Sequence, residues 1–61
     1  MLKEMREKKG LSQAQLASKA GVSKRAIQSY EQGARDIHNA KYEVLVILAK
    51  VLDCTIEDIL A

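Results

Sequence analysis

The 61-residue sequence has no proline, no tryptophan and no phenylalanine, and a single cysteine, Cys54. One thiol excludes an internal disulfide. With one histidine, His38, it also falls short of the four ligands of a structural zinc site, so neither a metal nor a cofactor is expected. Stability must then come from packing, near the lower size limit at which a core suffices. No apolar run is long enough to span a bilayer, and no charged-then-apolar leader precedes a small-residue cleavage site. No membrane partner is expected, and the expected compartment is the cytoplasm. What remains is a globular composition, 48% hydrophobic and 30% charged, with two tyrosines as the only aromatics.

Acidic residues are scarce in one part of the chain. From Met1 to Asp36 eight Lys/Arg face four acids, and from Ile37 to Ala61 two Lys face four acids. The first part carries +4 and the second −2, which gives the net +2. A basic part beside an acidic one favours a polyanion on one side only.

Punctuation and periodicity predict five short helices and one all-α domain over residues 1–61. The first runs from about Leu2 to Lys9 and stops at Gly10. Ser12 and Gln15 form a capping box for the second, Gln13 to about Ala20, which Gly21 closes. Ser23 caps the third, Lys24 to about Gln32, closed by Gly33. After a loop, Asn39 is expected to cap the fourth, from about Ala40 to Leu52. Its apolar residues make one stripe of Leu45, Leu48, Ala49 and Leu52 and a second of Val44, Ile47 and Val51. Thr55 caps a last short helix with Glu57 and Asp58 in its first turn, where the helix dipole favours acids.

The stretch from Gln13 to Gln32 carries function. Two helices of about eight residues joined by Ala20-Gly21-Val22-Ser23 must cross steeply and leave the second exposed along one face. The crossing needs a small residue in the first helix, here Ala17, and the turn needs positive φ, which Gly21 supplies. This pattern is a helix-turn-helix. The outward residues of its second helix are Ser23, Lys24, Arg25, Gln28, Ser29 and Gln32. Lys and Arg donate to guanine O6 and N7, and Gln pairs with adenine N6 and N7, so this face suits a major groove.

The phrases Leu11-Ser12-Gln13-Ala14-Gln15-Leu16-Ala17, Gly21-Val22-Ser23 and Ile27-Gln28-Ser29-Tyr30-Glu31-Gln32-Gly33 match a family core. Leu48-Ala49-Lys50-Val51-Leu52 and Thr55-Ile56-Glu57-Asp58-Ile59-Leu60 match its closing helices. Along its whole length the chain resembles the phage repressor and Cro-like helix-turn-helix family, the XRE type. The resemblance implies a lambda-repressor-like fold and a bacterial or phage transcriptional regulator of double-stranded DNA. It implies base contacts at Lys24, Arg25 and Ser29, which Gln28 joins by its chemistry, and a phosphate contact at Gln13. Ser23, Gln32 and Arg35 are further phosphate candidates. After the helix-three glycine, Arg35-Asp36 are followed by Ile37 where the family often has proline, and the loop is longer. The resemblance also implies an ion pair between Arg6 and Glu31.

Helix four is apolar over more than the arc of about 100° that one core needs. Ile47, with Val46 or Val51, is therefore expected in a homodimer interface or against a further segment of a longer chain, unless Ile37 folds over that stripe. Cys54 reads as a small buried hydrophobe, His38 as a surface residue, and the Asp53, Glu57, Asp58 cluster as capping chemistry. No Ser, Cys, His and acid combination makes a catalytic pair, so no enzyme is expected. The expected function is a repressor binding a palindromic operator as a dimer. An antitoxin-like module, with an additional protein partner on the same fold, is the alternative, and a detached domain of a longer regulator is a third reading.

Overall fold

Helices this short survive only when their unpaired end groups find partners, and here the chain supplies them at nearly every terminus. The computed structural model describes residues 1–61 and contains five α-helices and no strand. α1 (Leu2–Lys8) closes with Leu11 N–H donating to the Arg6 carbonyl at 3.2 Å and Gly10 N–H to that of Glu7 at 3.0 Å. That crossed pair is the Schellman closure. α2 (Gln13–Ala20) begins in a capping box. Ser12 Oγ accepts from Gln15 N–H at 3.0 Å, and Gln15 Oε1 accepts from Ser12 N–H at 2.8 Å. α3 (Lys24–Gln32) starts with Ser23 Oγ accepting from Ala26 N–H at 3.0 Å. α5 (Ile56–Leu60) has its own box between Thr55 and Asp58, both bonds 3.1 Å.

α4 starts later than the sequence suggests. Asn39 caps nothing, because the chain first makes a 3-10 turn over Ile37–Asn39. The Asp36 carboxylate accepts from His38 N–H at 2.9 Å and nucleates that turn, and Ala40 N–H closes it on the Ile37 carbonyl at 3.1 Å. Ala40 and Lys41 are extended, so α4 spans Tyr42–Leu52 with Lys41 at its N-cap and no side-chain cap. At the other end Asp53 takes the left-handed conformation, φ +53°, and completes a Schellman closure like that of α1, through Cys54 N–H to the Ala49 carbonyl at 3.0 Å.

One core joins all five helices. Leu16, Ile27, Leu48 and Ile59, one each from α2, α3, α4 and α5, are wholly buried, and Leu2 brings α1 to the same cluster. α2 packs on both α3 and α4, while α1 lies against α5 and α3. Tyr30, Val22, Val44, Val51 and Cys54 are half-buried around the cluster, and burial pushes the Cys54 thiol up from its ordinary pKa. Ile37 is also half-buried against the core, in a cleft with Leu2, Ile59 and Leu60. It does not hide Ile47, which stays 40% exposed on α4.

Candidate nucleic-acid interface

The turn between α2 and α3 sets the geometry of the exposed helix. Gly21 sits at φ +70°, a conformation that a side chain makes costly, and Val22 N–H donates to the Ala17 carbonyl at 3.0 Å. Leu16, Ala17 and Ala20 on α2 and Ile27 on α3 are buried between the helices and the rest of the core. Ala17 is small, which lets α3 approach.

α3 then presents one polar side. At about 100° per residue, Lys24, Gln28, Gln32, Arg25 and Ser29 fall within an arc of about 140°. Ala26, Tyr30, Ile27 and Glu31 fill the opposite side. Lys24, Arg25 and Gln32 are exposed, and Gln28 and Ser29 are half-buried at the flanks. Ser23 is exposed; its hydroxyl oxygen accepts one N–H as the α3 cap, and its O–H remains to donate outward. The arc holds two cations and no acid. Between Glu7 and Glu31 the chain has no Asp or Glu at all, a signal sharper than the division into two parts.

Glu31, the one acid of α3, turns inward. Arg6 Nε donates to Glu31 Oε2 at 2.7 Å and Arg6 Nη2 to Glu31 Oε1 at 3.0 Å, a bidentate pair whose side chains are 12% and 4% exposed. Arg6 Nη1 also donates to the Leu11 carbonyl at 2.8 Å. The hydrogen bond to Glu31 raises the Arg6 pKa. Burial pushes the Glu31 carboxyl up. Hydrogen bonds from Arg6 and Gln13, with the charges of Arg6 and Lys3, outweigh it and hold Glu31 below the ordinary carboxylate value. The α3 face therefore has no competing negative charge from its own helix.

Gln13, the first residue of α2, belongs to the same network, its Nε2 donating to Glu31 Oε1 at 3.0 Å. Its link to Glu31 was not visible in the sequence, because a contact across 18 residues leaves no local spacing to read. Arg35 lies beyond Gly33. Its N–H donates to the Ser29 carbonyl at 3.1 Å and its guanidinium covers the Tyr30 ring at 5.1 Å, which folds the longer loop back against α3.

The three α4 residues are not gathered into one patch. By helical spacing Ile47 and Val51 share one flank, whereas Val46 lies about 100° away and lines a groove with Tyr42, Lys50 and Ile56. Tyr42, 72% exposed, is the most exposed large apolar side chain and has no counterpart among the sequence-based candidates. No three His, Cys, Asp or Glu side chains converge as metal ligands would, and no helix is long and apolar enough to cross a membrane.

A family model described as helix-turn-helix (HTH_3) matches residues 2–59. Among solved structures, the chain is similar to the master regulator for biofilm formation SinR, crystallised in complex with DNA. The identity is 33% and the TM-score 0.88, with 98% of this chain and 92% of that one covered. No curated protein matches.

Proposed function

Because the chain belongs to the XRE-type helix-turn-helix family, we propose that it is a transcription regulator that binds double-stranded DNA through α3. One observation carries the reading above the others. The outward arc of α3 is lined by Lys24, Arg25, Gln28, Ser29 and Gln32, with its single acid withdrawn into the pair with Arg6. A basic, donor-rich helix face without acids suits base edges in a major groove and repels nothing on the phosphate backbone. The SinR relative, solved on DNA, supports the same partner.

Arg25 is assigned to a guanine, with Lys24, Gln28 and Ser29 beside it. Gln13, Ser23, Gln32 and Arg35 hold phosphates, which set register without carrying base identity. The protein works as a symmetric dimer on an imperfectly palindromic operator, and as a repressor by occlusion, since α2 has no acid with which to contact polymerase. Residues 1–61 act as one binding domain without catalytic activity, in the cytoplasm of a bacterial or phage-infected cell. Selection of bound duplexes from a random pool tests this reading. Recovery of sites with two inverted half-sites supports it, and recovery of no preferred sequence overturns sequence-specific regulation.

A further inference from the structure

Glu31 has more partners than an ion pair requires. Oε2 accepts from Arg6 Nε, while Oε1 accepts from both Arg6 Nη2 and Gln13 Nε2. A carboxylate offers only acceptors, so it admits only the NH₂ edge of the Gln13 amide and selects one of its two orientations. The carboxylate is itself 4% exposed and clamped by Arg6, so this anchor does not wander. One N–H of Gln13 Nε2 is thereby used, and the other is left for an acceptor outside the chain. It lies at the start of α2, where Ser12 takes the N–H groups of Gln15 and Leu16 but not those of Gln13 and Ala14.

We infer that Arg6 and Glu31 are positioning residues for DNA binding, acting through Gln13 without touching the nucleic acid. The inference rests on the proposed phosphate contact of Gln13. A free glutamine loses rotamer entropy when it closes on a phosphate. One already tethered at Nε2 has lost most of it during folding, and it presents its remaining donor beside free helix N–H groups. The same residues that lock α1 to α3 thus set how tightly α2 grips the backbone.

A mutant cycle on a selected duplex tests this, with the dissociation constant and its salt dependence measured for each protein. Arg6→Met with Glu31→Leu replaces the whole pair by apolar side chains, a change that tends to preserve folding where a single substitution strands a charge. The expected result is a loss of about fivefold per subunit from Gln13→Ala, a similar loss from the pair replacement, and no further loss when the two are combined. A folded pair replacement with wild-type affinity, or losses that multiply in the combined variant, overturns the inference. Should the pair replacement fail to fold, the wild-type protein decides by NMR. The Gln13 side-chain amide signals must move as Glu31 titrates, and signals indifferent to that titration refute the tether. Wild-type protein that binds no duplex sinks the functional reading instead, and the amide signals still report whether the tether exists.

Discussion

Arg25 and Arg35 are both exposed cations, yet their surroundings suit them to different proposed tasks. Arg25 stands free on the outward arc of α3. Arg35 is stacked on Tyr30 beyond the end of that helix, a place suited to the backbone rather than to a base edge. Arg25→Ala should cost about 1–3 kcal/mol in operator affinity and relax preference at one base pair per half-site. Arg35→Ala should weaken specific and random duplexes alike and lower the salt slope by about one charge per subunit. Titrations of both variants at several salt concentrations separate the two, and equal loss on random DNA for Arg25→Ala moves base reading to Lys24 or Gln28. Arg6 is a third kind of arginine, paired and nearly buried. Arg6→Met leaves Glu31 without its charge partner and should cost about 3–5 kcal/mol, a large part of what so small a domain has to spare. Thermal melts check it, and an unchanged melting temperature removes the pair from the stabilising interactions. The depressed pKa of Glu31 adds a pH dependence. A lowered carboxylate contributes stability that is fully present above its unfolded value of about 4.3 and is lost as pH falls through the folded value. Melting temperature should therefore drop below about pH 4, and less steeply in the Arg6→Met/Glu31→Leu protein, which lacks that carboxyl.

At the level of elements, the ends of helices carry most of what can be read in advance. Ser12 with Gln15, Ser23, Thr55, Gly21 and Gly33 each announce a terminus by chemistry local enough to survive in the sequence. The start of α4 was not legible for the same reason in reverse. Lys41 has no capping group, and the turn nucleated by Asp36 competes with Asn39 for the backbone. The outward set on α3 follows from periodicity alone. The anchoring of Gln13 and the exposure of Tyr42 depend on how separate elements meet, which no local pattern records. Asp53 is the residue whose chemistry suits its place least, since it is the only non-glycine with positive φ. Its partner Lys9, at 4.0 Å between exposed side chains, offers little in return. Asp53→Gly should relieve the left-handed strain and raise stability by about 0.5–1 kcal/mol, read from chemical denaturation midpoints. No gain would mean that Asp53 pays its own conformational cost through local hydrogen bonding.

The whole molecule measures 24 × 22 × 19 Å. Successive major grooves on one side of a duplex lie about 34 Å apart, more than this molecule spans, so the proposed two-part operator calls for two copies, one to a groove. Ile47, exposed on α4 beside Val51, is the apolar side chain proposed to join them. Ile47→Glu should leave the fold intact, weaken association by at least about tenfold and make binding to full operators less cooperative, while half-site affinity stays as it was. Sedimentation and half-site titrations test this, and an unchanged assembly state assigns the interface elsewhere, Tyr42 and Val46 being next. The core has a further consequence. Helices of 5 to 11 residues do not persist alone, and the four wholly buried residues come from four different helices. No helix therefore keeps a private reserve of stability, and a void left by Leu48→Ala subtracts whole working molecules rather than dulling one contact. Heat-sensitive alleles, active in the cool and silent in the warm, should thus cluster in that interior, whereas alleles that redirect the protein to other genes should map to the outer face of α3.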